Sequence, residues 1–218
     1  MTDATTVDDA AKITELGRSA PTVPAHYSDL SAVESTAWAL LVRGANARKS
    51  AFHQATVATV NAAGLPEART VVLRAANAPT RSLRFHTDIR SGKVAEFAAS
   101  PSCVIHFYDH GAKIQLRVRA HAHVHHKDDV TAPIWQQMRD MSKVCYRQPI
   151  GPGEPIEDPT IAETSLLGDD EAFANFVVVK LEARAMEWLY LAAAGHRRAE
   201  ISYAGGPQEP PTMRWLAP

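Results

Sequence analysis

"FHTDIRSGKVAEFAASP", residues 85–101, is the stretch on which the reading of this chain turns. An apolar strand end, Phe85 to Thr87, leads into the basic run Arg90-Ser91-Gly92-Lys93, and that run opens a short helix that Pro101 stops. A strand end feeding a helix N-terminus offers unpaired backbone N–H groups. Here the Ser91 hydroxyl and the Lys93 ammonium add to them within one turn. That is the local chemistry of an anion site. Taken alone, the same residues also describe an ordinary helix cap beside a solvated lysine, so the neighbouring strands must decide.

The strand before it, "ARTVVLRA" (68–75), points the same way. Alternation sets Arg69, Val71 and Leu73 on one face and Thr70, Val72 and Arg74 on the other. If both faces are packed, each arginine needs an anion, and a phosphate matches the planar guanidinium fork. If one face is exposed, each arginine is expected to pair with a carboxylate instead. Two basic sites on successive strands favour the anion.

Outward from these stretches the pattern is mainly β with added helices. Residues 1–28 read as an N-terminal arm, and 29–218 as a single domain. Asp29 or Ser31 caps a first helix in which Leu30, Val33, Trp38, Leu41 and Val42 recur at helical spacing. The spacing then changes to two: Gln54–Asn61 and Glu67–Ala75 form a hairpin around "NAAGLPE", and 81–88 is a third strand. "SCVIHFYDH" and "KIQLRVRAHAHVHH" make another hairpin around Gly111. "KDDVTAPIWQQMRDMSKVCY" (127–146) is expected to be one helix, and 147–160 a Pro- and Gly-rich loop. "EAFANFVVVKLEARAMEWLYL" (171–191) reads as one long strand, bulged or bent, with two further strands after it. Six or more antiparallel strands with two or three helices predict a β-barrel with helical additions.

Composition removes several classes of function. Among 218 residues, Lys+Arg number 23 and Asp+Glu 24, without the basic excess of a nucleic-acid binder. Two cysteines are too few for a disulfide framework and fit no zinc spacing. No apolar run is long enough for a membrane span, and the acidic N-terminus is unlike a signal peptide. The expectation is a cytoplasmic protein with no nucleic-acid or membrane partner.

The ordered motifs "RTVVLR", "LRFHTDIRSGKVAEF" and "IQLRV", with a closing "RWLAP", resemble the flavin-binding core of the pyridoxamine 5'-phosphate oxidase family. The resemblance covers roughly residues 54–126. It implies an FMN-binding split β-barrel, a homodimer with flavin at the subunit interface. On that resemblance Arg69 and Lys93 would hold the FMN phosphate, with Ser91 beside them. Thr87, His86 and the backbone of Thr70, Val71 and Val72 would line the phosphate, ribityl and ring region. Gln115 matches a glutamine that touches the flavin ring. Trp188 and either Arg197 or Arg198 match a Trp and an Arg supplied by the second subunit.

The chain also departs from that family. Where the motif usually reads Ser-Arg-Lys, it has Ser91-Gly92-Lys93, so either the phosphate grip is weaker or Arg90 replaces the missing arginine. At the family's second anion site, rough alignment offers Arg74, Trp135, Arg139 and Lys143. Arg74, Arg139 and Arg197 are the candidates for gripping a small anionic substrate. The reading is an FMN-dependent oxidoreductase with an altered substrate pocket, and the alternative is an FMN- or other cofactor-binding carrier or sensor without turnover. The flavin would carry the hydride chemistry, so no nucleophile or triad is expected.

Two other features weigh less. His121, His123 and His125 share one strand face, but their spacing of about 7 Å is too wide for one ion without bending, so a surface or interface role is expected and no metal. Trp135, Met138 and Met141 read as helix packing.

Overall fold

The structure, a computed structural model, describes residues 22–158, 160, 166–193 and 195–218. Most of the expected arm therefore lies outside the described residues. The elements are α1 (Leu30–Asn46), β1 (Gln54–Val60), β2 (Pro66–Val72), β3 (Ala75–Asn77), β4 (Ser82–Asp88), α2 (Gly92–Ala99), β5 (Ser102–Asp109) and β6 (Ile114–His125), followed by α3 (Thr131–Gln137), α4 (Asp140–Lys143), α5 (Asp169–Asn175), β7 (Phe176–Tyr190), β8 (Arg197–Ser202) and β9 (Thr212–Leu216).

Helix α1 begins where its cap dictates. The Asp29 carboxylate accepts the Ala32 N–H at 2.7 Å. Val33, Ala37, Trp38, Leu41 and Gly44 form its buried stripe. Val42, expected on that stripe, is exposed. Gly44 is required there, because a Cβ would lie 2.5 Å from the Phe52 carbonyl oxygen.

The nine strands form one antiparallel sheet that curls into a barrel in the order β2-β1-β5-β6-β7-β4-β3, with β8 and β9 branching from β7. Strand β7 makes the branch possible. It is 15 residues long: along one edge Val178–Tyr190 pair with β6, and along the other Phe176–Glu182 pair with β4 and Ala185–Tyr190 with β8. Between those halves Arg184 is an extra residue, since Arg119 pairs with Ala185 and Ala120 with Ala183. Near the seam, the Arg74 N–H donates to the Arg84 carbonyl at 2.8 Å, tying the end of the β1–β2 hairpin to β4.

Two cores result. The barrel core takes Phe85, Ile105, Phe107, Leu116, Val177, Val179 and Trp188. A smaller cluster of Trp135, Tyr146, Ala172, Phe176 and Val178 fills the outer face of β7 under α3 and α5. This explains the unbroken apolar run Phe176–Val179: both faces of the strand are covered, so no polar alternation is tolerated.

Three expectations are corrected. The helix expected over 127–146 breaks into α3, α4 and a 3₁₀ turn, because Met138 and Arg139 are extended, with ψ 136° and 142°. Met141 accordingly is 90% exposed and packs on nothing, whereas Trp135 is buried. The start of the expected long strand is instead α5, which ends at Asn175. Finally, β2 lies at the edge of the sheet, and Arg74 and Thr70 are exposed, so the premise that both its faces are packed does not hold.

Candidate functional site

Strand β4 delivers Thr87 to the mouth of the barrel, and the turn after it delivers Ser91 and Lys93 at the start of α2. Thr87 and Ser91 are both buried. The Lys93 ammonium donates to the Thr87 hydroxyl at 3.0 Å and to the Ser91 hydroxyl. Burial pushes its pKa down, the nearby charge of Arg69 pushes it further, and Glu96 and Asp88 oppose the shift. Arg69 thus belongs to the same electrostatic neighbourhood although it comes from β2. The Ser91 hydroxyl makes no cap bond to the helix; the Val94 N–H is taken by the Ser91 carbonyl at 2.9 Å, so the Gly92 and Lys93 N–H groups are those left at the start of α2. One ammonium, one guanidinium, two hydroxyls and a helix N-terminus make a donor set that fits a phosphate.

Two residues that the sequence reading missed complete this cluster. Glu96 Oε2 lies 2.9 Å from Arg69 Nη2, and the Thr59 hydroxyl bonds to both side chains. Glu96 follows Lys93 by three residues, so helical spacing alone would have placed it on the same face. Arg69 therefore does pair with a carboxylate, the outcome held open for an exposed strand. Arg90 does not replace the motif's missing arginine as the chain stands. Its guanidinium is held by Asp88, with contacts of 2.9 and 2.7 Å, and by the Pro149 carbonyl at 3.1 Å. Position 92 itself is open, for a Cβ there would find only Glu96 Oε1, at 3.6 Å.

Arg84 and His86 project from the opposite face of β4, toward the smaller core. With Arg74, Met138, Ser142 and Tyr146 they line a cavity of about 280 Å³, which is at the small end for ligand sites. Among the described residues neither Arg74 nor Arg84 has a carboxylate partner. Arg84 Nε and His86 Nε2 are buried without any hydrogen-bond partner. Burial depresses the Arg84 pKa, and burial, Arg84 and Arg74 together bring that of His86 from 6.5 to about 3. The cavity thus presents two guanidinium groups without carboxylate partners and an imidazole held neutral near pH 7, edge-on to Phe176 at 5.1 Å, a lining whose charge suits an anion.

The His86 shift has a sign that can be checked. Between pH 3 and 6.5 the unfolded chain binds a proton at this residue and the folded chain does not, so stability falls as pH drops through that window. His86→Asn is expected to flatten the acid limb, read as the difference in urea midpoint between pH 7 and pH 5. An unchanged difference would show that the ring titrates normally.

The remaining candidates are dispersed. Arg139 is exposed and does not line the cavity; Lys143 pairs with Asp169 at 3.4 Å and lies over the Trp135 ring. Val71 is in the barrel core and Thr70 is exposed on the edge strand. Gln115 opens β6, a strand whose other partner β7 carries Glu187 and Trp188. The buried Glu187 carboxylate sits between Arg117 at 2.6 Å and Arg198 at 3.0 Å. Trp188, expected to reach a flavin, is fully buried against Tyr27, with ring centroids 4.9 Å apart. Arg197 lines a separate surface hollow with Ser28 and Trp215. On the histidine strand, His123 faces Glu182 at 3.6 Å and His125 bonds Asp128 at 2.8 Å; among the described residues no His, Cys, Asp or Glu cluster is arranged to hold a metal. No helix among them is long and apolar enough to cross a membrane.

Comparison with known proteins agrees with this architecture. Residues 35–126 match the family described as "Pyridoxamine 5'-phosphate oxidase, FMN-binding domain". A pyridoxamine 5'-phosphate oxidase-related, FMN binding protein from Nostoc punctiforme is 25% identical, with a TM-score of 0.70 over 84% of this chain and 96% of that one. PhzG from Burkholderia lata, solved with tetrahydrophenazine-1-carboxylic acid, is 17% identical, with a TM-score of 0.68 over 90% of this chain and 98% of that one. Campylobacter jejuni ChuZ shares the fold at 16% identity and TM-score 0.51, over 82% of this chain and 62% of that one. No curated protein matches the sequence. In its fold the chain is similar to the pyridoxamine 5'-phosphate oxidase-like split-barrel proteins, and its residues 35–126 match that family's FMN-binding domain.

Proposed function

We propose that this protein is an FMN-dependent oxidoreductase acting on a small anionic substrate, as a homodimer with flavin at the subunit interface. The observation that carries the reading is the meeting of Lys93, Thr87 and Ser91 with Arg69 at the N-terminus of α2, a donor set suited to the flavin phosphate. Bound FMN would supply a hydride acceptor and donor that no side chain here can replace.

The chain's own residues would then bind, orient and exclude water. Arg69, Lys93, Ser91 and Thr87 would anchor the phosphate end. The backbone of β2 around Thr70, Val71 and Val72, together with β4 around His86, would flank the ribityl chain and ring. Gln115 and Arg198 belong to the other end of the barrel, at β6 and β8, which supports their serving the flavin of the partner subunit. Glu187 would hold the Arg198 guanidinium in place for that contact.

Arg74 and Arg84 would grip the substrate's anionic group in the cavity on the other face of β4, which replaces Arg139 and Arg197 as the favoured substrate site. A neutral His86 would add a hydrogen bond there without adding charge. The relative solved with a bound carboxylic acid, PhzG, supports an acid-bearing substrate as one form this can take.

The test is direct. The protein is expected to purify yellow, to release FMN identified by mass, and to be bleached anaerobically by a small phosphorylated or carboxylated reductant. Arg84→Ala should then raise KM for that reductant by at least about tenfold, the scale of one charge-assisted hydrogen bond, while leaving flavin content unchanged. A yellow protein reduced by NAD(P)H and by no small acid would make it a reductase. A colourless protein with no affinity for FMN would end the flavin reading.

A further inference from the structure

We infer that the phosphate-side pocket is one positive charge short of its ligand, because Glu96 already neutralises Arg69, and that Glu96 thereby sets how strongly the site rewards a flavin's phosphate. This rests on the proposal that the pocket holds FMN.

Lys93 and Arg69 bring two positive charges and Glu96 one negative, whereas a phosphate monoester carries about −1.5 to −2 near neutrality. The Glu96 side chain is only 11% exposed, so water does little to screen it from Arg69 or from anything bound beside it. It lies on the same helix as Lys93, and the Thr59 hydroxyl fixes it against the guanidinium. Among the described residues no other cation relieves the shortage: Arg90 is engaged by Asp88, and position 92 carries no side chain. A bound phosphate must share Arg69 with a carboxylate and sit near that carboxylate's charge. Both effects weaken the part of flavin affinity that comes from the phosphate, and neither touches the part that comes from the ring.

The measurement separates those parts. FMN and riboflavin, which differ by the phosphate alone, are titrated into apoprotein and followed by quenching of flavin fluorescence. Glu96→Gln keeps the shape and the hydrogen bonds to Arg69 and Thr59 while removing the charge. It is expected to raise the ratio of FMN to riboflavin affinity by roughly tenfold, with riboflavin affinity unchanged. Gly92→Arg, which adds a cation where only Glu96 Oε1 is near, is expected to raise the same ratio, and it stands in if the glutamine variant does not fold.

If the parent protein binds FMN and neither variant raises the ratio, the inference is wrong and the flavin reading survives. A fall in the ratio with Glu96→Gln also overturns it, since it would make Glu96 an orienting partner of Arg69 rather than a competitor. If the parent protein binds neither flavin, the proposed function fails and takes this inference with it.

Discussion

Arg69→Ala is expected to weaken FMN binding by about a hundredfold or more while leaving riboflavin affinity and the fold close to those of the parent. Two effects add. The substitution removes a donor to the phosphate, and it strands the Glu96 carboxylate, now unpaired, beside the bound anion. Truncating one member of a desolvated charge pair costs roughly 2–5 kcal/mol, and about 2.7 kcal/mol is a hundredfold in affinity. The barrel should persist, since the pair lies at the sheet edge rather than in either core. The double variant Arg69→Ala, Glu96→Gln should recover part of the loss, because the stranded carboxylate is gone. Titration of both flavins into the purified variants checks it, and an Arg69→Ala protein with parental FMN affinity would remove Arg69 from the site.

Trp188 is expected to matter for stability rather than for flavin. Its side chain is fully buried, packed edge-on to Tyr27 and stacked near Tyr190, with ring centroids 4.9 and 6.3 Å away. Trp188→Ala should destabilise the protein by about 3–5 kcal/mol, the cost of an aromatic-sized cavity. At 2–4 °C per kcal/mol for a chain of this size, that lowers Tm by roughly 10 °C. Trp188→Phe refills most of the space, and is expected to keep parental FMN affinity with a smaller fall in Tm. Thermal unfolding and flavin titration on the same preparations distinguish the roles. A phenylalanine variant that is stable yet loses flavin would restore Trp188 to the cofactor site.

The burial of Trp188 shows why motif reading reaches only so far. Strand alternation assigns a residue to one of two faces, but it does not say which of them is the barrel interior. The 15-residue β7 is covered on both faces over Phe176–Val179 and later changes partner from β4 to β8, so its alternation carries little information. Arg69 shows the same limit. Its face was legible, but its partner lies 27 residues away on α2. The Thr59 hydroxyl that completes the triad reaches it from β1. Arg84 was in plain view inside the opening stretch's strand, yet only the fold revealed that its Nε is buried without a partner.

What the sequence determined by itself was local: the Asp29 cap, the helix opened by Ser91 and closed before Pro101, the hairpins, and the order of motifs that marks a flavin-type split barrel. Those features depend on contacts within a few residues, where spacing and side-chain type are enough. Tertiary structure decided everything that depends on burial and on charge between distant elements. It broke the helix after Gln137, made Glu171–Asn175 part of a helix instead of the strand, tied Arg90 to Asp88, set Glu96 against Arg69, and left Arg74 and Arg84 facing an imidazole held neutral. Desolvation and pairwise charge act through space, and the spacing of letters along a chain does not record which of them will meet.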